Sequence, residues 1–158
     1  KEAMRNGELG MLPKVPCHND YMPANWVWGR LKGDQEPKLW LIDFEYGAIG
    51  DRFFDLANFS INSALQEKHD EEMLDCYFGA GKWGPEHMAR VKLYKVVSDL
   101  RESLWSYVQW GVSTTCSQEF YEEYGVKCFD RFTAAAATPQ FEAALAGVSD
   151  GCTATSGK

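Results

Sequence analysis

CHNDYMPAN at residues 17–25 and LIDFEY at residues 41–46 are the segments that decide the fold. Between them, two short apolar stretches rich in β-forming residues, 26–31 and 38–43, flank the turn KGDQEP at 32–37. Two extended runs on either side of a turn that contains Gly and Pro are typical of a β-hairpin. The hairpin returns the second segment to the first, so the sequence predicts one shared cleft.

The polar residues of this cleft have the chemistry that phosphoryl transfer requires. That reaction needs a carboxylate to orient and deprotonate the attacking hydroxyl, and oxygen ligands that hold Mg²⁺ against the phosphates. Asp20, Asn25 and Asp43 supply this set, and the amide oxygen of Asn25 limits the negative charge on the metal site. An isolated Asp or Asn in a turn is more often structural. The HxDxxxxN order, the hairpin and the strand that ends in Asp-Phe together favour phosphoryl transfer.

Most of residues 53–133 is predicted to be helical. The clearest helix covers 87–112, and shorter ones are expected at about 68–78, before Gly79 and Gly81, and at 119–135. Five apolar residues of the long helix recur at helical spacing and are expected to face the core: Leu93, Val97, Leu100, Leu104 and Val108.

The two ends of the chain are predicted to be less regular. The first dozen residues have the pattern of a helix end that runs into a turn at Pro13 and Pro16. Residues 141–148 are expected to form one or two helical turns, and the Gly/Ser/Thr-rich residues 149–158 are expected to be disordered.

Composition excludes several classes of protein. A formal charge of −7 without a basic stripe argues against nucleic acid as a partner. No apolar run is long enough to predict a membrane span. The cysteines are odd in number and lack a CxxC pair, which predicts neither a disulfide framework nor a zinc site and favours the reducing cytoplasm. They stand at positions 17, 76, 116, 128 and 152.

Three segments carry a family resemblance: HNDYMPAN at 18–25, LWLIDFEY at 39–46 and GDRFFDLANF at 50–59. They resemble the choline/ethanolamine kinase and aminoglycoside phosphotransferase superfamily, whose fold is similar to that of protein kinases. IDFEY is more like choline kinases than aminoglycoside phosphotransferases, and SDLRESLWSYVQWGVS at 98–113 resembles the choline kinase helix that carries a Trp before Val-Gln. The resemblance covers about residues 14–135.

The resemblance implies an α+β fold that is predominantly α. The expected architecture is a protein-kinase-like C-terminal lobe over residues 1–138, in which a catalytic loop and a short β-hairpin precede a helical bundle. Residues 139–158 would add a short Ala-rich segment and a tail.

The same resemblance implies roles for individual residues. Asp20 would be the catalytic base, and His18 would brace the catalytic loop. Asn25 and Asp43 would be the Mg²⁺ ligands that hold ATP, the phosphoryl donor. Asp55 would be a structural residue that ties the loop down.

The family's choline pocket maps onto Tyr46, Trp105 and Tyr124, with Glu45 as a further candidate for substrate binding. Aromatic rings attract a quaternary ammonium by cation–π interaction. Without the resemblance, Trp105 would more often be a core residue. Glu102 stands where choline kinases carry a second Trp, and a carboxylate suits a primary amine equally well.

The superfamily also implies a nucleotide-binding lobe before the catalytic loop, and the residues that precede Lys14 are too few to form it. The chain is therefore expected to be the C-terminal lobe of an ATP- and Mg²⁺-dependent kinase of choline or ethanolamine, inactive without the missing N-terminal lobe. Two alternatives stay open: an aminoglycoside or thiamine-type phosphotransferase, and a truncated, pseudokinase-like binding domain. The oligomeric state also stays open, with a homodimer as one alternative.

Overall fold

The computed structural model describes residues 13–154, with side chains described for 13–148. Within that part, two antiparallel strand pairs precede five α-helices, so the fold is predominantly α with a small β part, as predicted. The strands are β1 (Val15–Cys17), β2 (Trp26–Gly29), β3 (Lys38–Leu41) and β4 (Ala48–Gly50). The helices are α1 (Arg52–Asn62), α2 (Glu67–Phe78), α3 (Pro85–Val112), α4 (Gln118–Ala136) and α5 (Pro139–Ala154). The helix end predicted for the first dozen residues lies outside the described part.

Strand pairing brings the two polar segments together. The predicted hairpin is confirmed: β2 pairs with β3 from Trp26↔Leu41 to Gly29↔Lys38. The turn between them places Gly33 at φ +104°, a conformation that glycine adopts at little cost. The second pair joins β1 to β4, so both ends of the region from residue 15 to residue 50 are fixed to each other.

Asp51 caps the N-terminus of helix α1 and also accepts a hydrogen bond from α3. The backbone N–H of Phe53 donates to Asp51 Oδ1 at 3.0 Å, and the Tyr94 hydroxyl donates to Asp51 Oδ2 at 3.0 Å. The helix buries Phe53 and Ala57 completely against α2 and α3. The other buried members of this core are Leu74, Met88 and Val91.

Helix α3 is the central helix, but its buried face differs from the predicted one. Val97, Leu104 and Val108 are 44%, 58% and 61% exposed, so the prediction that they face the core is wrong. Leu93 and Leu100 are half-buried.

The buried face of α3 carries apolar residues in its N-terminal half, among them Met88, Val91 and Val96, and small and polar residues in its C-terminal half. The small and polar members include Ser98, Asp99, Glu102, Ser103 and Ser106. Small side chains allow neighbouring helices to approach closely: a Cβ on Gly125 of α4 would lie 3.3 Å from Ser106. Polar partners compensate for the burial, because Asn58 donates to Ser98 at 2.9 Å and Arg131 donates to Asp99.

The shorter helices follow the predictions closely, with one exception. Helices α2 and α4 are confirmed, and α2 ends at Gly79, whose φ is +96°. Helix α5 is longer than predicted: it runs to Ala154, so the expected disorder is wrong for residues 149–154. Its packing against α3, where Ala144 is buried, anchors a helix that then extends at low cost. Residues 155–158 lie outside the described part.

The described residues contain neither a membrane-spanning helix nor a disulfide bond. No helix in residues 13–154 is both long enough and apolar enough to cross a membrane. The thiols of Cys17, Cys76, Cys116 and Cys128 are free.

Candidate active site

Side chains of α1 hold the loop between β1 and β2 by hydrogen bonds to its backbone. Asp55 accepts the backbone N–H of His18 at 2.7 Å and that of Asn19 at 2.8 Å, one on each carboxylate oxygen. Asn58, one turn further along α1, accepts the N–H of Tyr21 at 2.7 Å. These bonds hold a loop in which Asn19 adopts a left-handed φ of +63°, which asparagine tolerates better than most residues. Burial raises the pKa of Asp55, and the two amide hydrogen bonds oppose that rise.

His18 uses both ring nitrogens inside the protein. Its Nε2 lies 2.9 Å from the carbonyl oxygen of Ile42, which can only accept, and its Nδ1 accepts the N–H of Asp20 at 3.2 Å. The ring is 3% exposed and packs edge-on against Phe44. His18 therefore links the loop to the segment after β3, and neither nitrogen is left to take a proton from a substrate.

Asp20 and Asn25 are bonded directly to each other. Asn25 is buried, and its Nδ2 donates to Asp20 at two atoms, the carbonyl oxygen at 2.9 Å and Oδ2 at 3.0 Å. A single 3₁₀ turn, Pro23–Asn25, sets this geometry. Because Nδ2 faces Asp20, the opposite atom of the amide, Oδ1, is the one that Asn25 can offer to a cation.

Asp43 follows β3 beside this pair. The N–H of Ile42 donates to the carbonyl of Asn25 at 3.0 Å, which places the next residue, Asp43, alongside Asn25. Asp43 has a left-handed φ of +66°, an uncommon conformation that redirects its exposed side chain relative to an ordinary strand.

The oxygen donors of Asn25 and Asp43 fit magnesium. Mg²⁺ takes one or two protein oxygens and completes its shell with phosphate oxygens and water. Among the described residues no group of three or more His, Cys, Asp or Glu side chains could hold a metal by itself. The pair therefore suits a cation that is shared with a bound phosphate ligand, and it does not form a closed site.

The structure brings together the three aromatic residues that the resemblance selected. The Trp105 indole N–H donates to the Tyr46 hydroxyl at 3.1 Å, and the Trp105 and Tyr124 rings meet edge to face at 6.4 Å. Tyr121, which the sequence did not single out, packs against Trp105 at 6.0 Å. Glu45 is exposed, and no hydrogen bond or ion pair joins it to another described residue.

Two charged residues of α3 complete this aromatic cluster. Glu102, 5% exposed, accepts from the Tyr124 hydroxyl at 3.1 Å through Oε2 and from Arg101 Nη1 at 2.8 Å through Oε1. Burial and the charge of Glu102 raise the pKa of Tyr124. The Arg101 guanidinium lies 5.1 Å from the centre of the Tyr46 ring, and its Nη1 lies 3.9 Å from Asp20 Oδ1. Sequence reasoning missed Arg101: its position one helical turn before Trp105 was visible, but its contacts with Tyr46 and Asp20 were not.

Comparison with known families agrees with this geometry. A family model described as the phosphotransferase enzyme family (APH) matches residues 3–94, a range that contains Asp20, Asn25, Asp43 and Asp55. The chain belongs to this phosphotransferase family.

Relatives of this phosphotransferase include named kinases. It is 29% identical over 113 residues to a probable ethanolamine kinase of Arabidopsis thaliana, which covers 61% of this chain and 29% of the relative. It is 39% identical over 63 residues to a LicA homolog of Metamycoplasma hominis, which covers 40% of this chain and 23% of the relative. The chain thus spans less than a third of the length of these two relatives.

Solved structures show the same fold. A choline/ethanolamine kinase family protein from Mesorhizobium loti superposes with a TM-score of 0.74 at 29% identity over 94% of this chain and 48% of that one. The choline kinase LicA of Streptococcus pneumoniae gives a TM-score of 0.61 at 23% identity over 86% of this chain and 44% of that one, and it shows the fold alone. LicA has also been solved in complex with AMP.

Proposed function

We propose that this chain is the catalytic lobe of a kinase that transfers the γ-phosphoryl group of ATP to the hydroxyl of a small cationic alcohol, choline or ethanolamine. The observation that carries the proposal is the position of Asp20. Its carboxylate is held by Asn25 at 3.0 Å on one side, and on the other it faces Arg101, which lies against the aromatic ring of Tyr46. The proposed base therefore lies next to both the proposed magnesium ligand Asn25 and the aromatic cluster of Tyr46.

Asp20 acts as the general base in this proposal. The hydroxyl oxygen of the acceptor attacks the γ-phosphorus, its proton passes to the Asp20 carboxylate, and the bond from the γ-phosphorus to the bridging oxygen breaks to release ADP. Asn25 fixes Oδ2 of the base, so Oδ1, which lies 3.9 Å from Arg101 Nη1, would be the atom that takes the proton. His18 supports this assignment because both of its nitrogens are already hydrogen-bonded.

Asn25 and Asp43 are the residues that would hold magnesium. When bound, Mg²⁺ neutralises negative charge on the phosphates of the nucleotide. The left-handed conformation of Asp43 and the inward-facing Nδ2 of Asn25 leave oxygen atoms of both residues available for that purpose. In the full-length protein, a preceding lobe would hold the rest of the nucleotide.

Tyr46, Trp105 and Tyr124 would form the acceptor pocket, with Glu102 as its acidic wall. Ring faces and a carboxylate both attract an ammonium group, so the acceptor would be a cation. The names of the relatives, an ethanolamine kinase and choline/ethanolamine kinase family proteins, support the same substrate class.

The proposal is tested with the full-length protein, ATP and Mg²⁺, by following ADP release and the phosphorylated product by ³¹P NMR. The acceptors are choline, ethanolamine, thiamine, kanamycin and the uncharged choline isostere 3,3-dimethylbutan-1-ol. We expect kcat/KM for choline or ethanolamine to exceed the others by about tenfold or more. Equal turnover of the uncharged isostere, or preference for kanamycin, would contradict the proposal.

A further inference from the structure

We infer that Arg101 sets the affinity of the acceptor pocket for cationic substrates, because its guanidinium is an internal cation that a substrate has to displace. This inference rests on the proposed function, since it concerns the same pocket. It assigns a specificity-determining role to a residue that the resemblance did not select.

The guanidinium occupies an aromatic surface that the substrate needs. Its Cζ atom lies 5.1 Å from the centre of Tyr46 and 5.8 Å from that of Phe54. Cations within about 6 Å of a ring centre are attracted to its face. The Trp105 N–H fixes the Tyr46 hydroxyl at 3.1 Å, so the ring cannot easily turn to offer a vacant face instead.

Glu102, the acidic wall of the pocket, is also paired with protein groups. Glu102 is 5% exposed, and its two carboxylate oxygens are taken by Arg101 at 2.8 Å and by Tyr124 at 3.1 Å. An incoming ammonium therefore meets a carboxylate that is already neutralised. It competes with Arg101 both for the ring of Tyr46 and for the charge of Glu102.

Arg101 has room to leave. Its side chain is 27% exposed, whereas that of Glu102 is 7% exposed, so the guanidinium can turn towards water while the carboxylate stays in place. The vacated position adjoins Asp20, because Arg101 Nη1 lies 3.9 Å from Asp20 Oδ1. A cationic alcohol bound there would have its hydroxyl close to the base.

The contacts favour displacement over an anion clamp. A guanidinium that recognised an anionic group of the acceptor would present an uncompensated positive charge to the pocket. Arg101 instead pairs Nη1 with Glu102 at 2.8 Å, its closest acidic partner, and its Cζ atom lies 5.1 Å from the centre of the Tyr46 ring. Neutralised in this way, it competes with a cation more effectively than it attracts an anion.

Calorimetric titration of choline chloride into the full-length protein without ATP tests the inference. In Arg101→Met we expect choline to bind about threefold tighter or better, because a ring face and a carboxylate are released. Binding of 3,3-dimethylbutan-1-ol should gain less than that of choline, since it can use the vacated surface but carries no charge for the ring face or the carboxylate; an equal gain for both would overturn the inference. Arg30→Met is the matched control, because Arg30 is an exposed hairpin residue whose loss changes the net charge equally, and it should leave choline affinity as it is. Weaker or unchanged choline binding in Arg101→Met would overturn the inference.

Two further measurements cover other outcomes. In the double variant Arg101→Met/Glu102→Gln the gain in choline affinity should be smaller than in Arg101→Met, because only the ring face is released, and an undiminished gain would exclude a role for the freed carboxylate. If Arg101→Met does not fold, a crystal structure of the unaltered protein with choline decides. The guanidinium should have moved away from the Tyr46 ring, and choline bound with Arg101 still in place would refute displacement.

Turnover with ATP is measured separately from choline binding. A protein that fails to phosphorylate any alcohol would therefore reject the proposed function without deciding how choline binds.

Discussion

Asp55 binds the loop that carries the base: its Oδ2 atom accepts the backbone N–H of His18 at 2.7 Å, and its other oxygen accepts the N–H of Asn19. The carboxylate belongs to the first turn of α1, and Asp51 caps that helix. A hydrogen-bond acceptor on a rigid helix thus determines the path of a loop whose conformation is otherwise unfavourable at Asn19.

Replacing Asp55 by Asn should loosen this loop. One of the two acceptor oxygens becomes an NH₂ group that faces a backbone N–H, so one amide loses its partner and the unfolding free energy should fall by about 1–3 kcal/mol. We expect kcat of the full-length protein to fall about tenfold or more, because Asp20 is no longer held in position. Urea denaturation and steady-state kinetics measure the two effects. Asp130→Asn, an exposed change on α4, is the control, and equal effects of the two variants would disprove the anchoring role.

Replacing Asp20 by Asn tests the base itself. The amide has nearly the same shape and retains an oxygen that can accept from Asn25, but it cannot take a proton at neutral pH. We expect kcat to fall by about 10² to 10⁴, with the Kd of choline changed by less than about threefold. Turnover that stays within tenfold of the unaltered protein would show that another group, or solvent, removes the proton.

Local turn chemistry made much of the fold predictable. Gly33 in the hairpin turn and Gly79 at the end of α2 mark boundaries that depend mainly on nearby residues. The buried face of α3 was not predictable in that way. Apolar spacing selected Val97, Leu104 and Val108. Burial on α3 depends instead on how closely the other helices approach and on polar partners that they supply. The spacing of apolar residues within one helix carries no information about either.

The residues of the candidate site also differ in whether local sequence predicts their contacts. Asp20, Asn25 and Asp43 could be grouped from the sequence because a short hairpin alone joins them, and the structure places them side by side. Arg101 could not, because its partners Tyr46 and Asp20 come from loops far away in the sequence and meet α3 only in the folded chain.

A pair of substitutions on α3 tests which face is buried. Val91 is completely buried, and Val108 is 61% exposed on the same helix. Val91→Ala should lower the free energy of unfolding by about 2 kcal/mol, because it leaves a cavity in the core. Val108→Ala should change it by less than about 0.5 kcal/mol in this 158-residue chain, since little apolar area is buried there. Urea denaturation measures both changes. An equal loss of unfolding free energy in the two variants would show that Val108 is buried, as apolar spacing predicted.

Stability at high pH should depend on Tyr94. Burial, followed by the charge of Asp51 and the hydrogen bond to it, raises the pKa of Tyr94 from 10.0 to about 12. A raised pKa in the folded state means that the fold retains the phenol proton more strongly than the unfolded chain does. The resulting stabilisation is fully present below pH 10 and is lost as the pH rises to about 12.

Tyr94→Phe isolates this contribution from those of other tyrosines. The difference in unfolding free energy between the unaltered chain and Tyr94→Phe should be constant up to about pH 9 and should then shrink by about 1–2 kcal/mol towards pH 12, because the phenolate would face the Asp51 carboxylate. Urea denaturation at a series of pH values measures the difference. Tyr107→Phe, on the exposed side of α3, provides the matched control. A difference for Tyr94→Phe that stayed flat over this range would mean that the Asp51–Tyr94 bond does not distinguish the folded from the unfolded state.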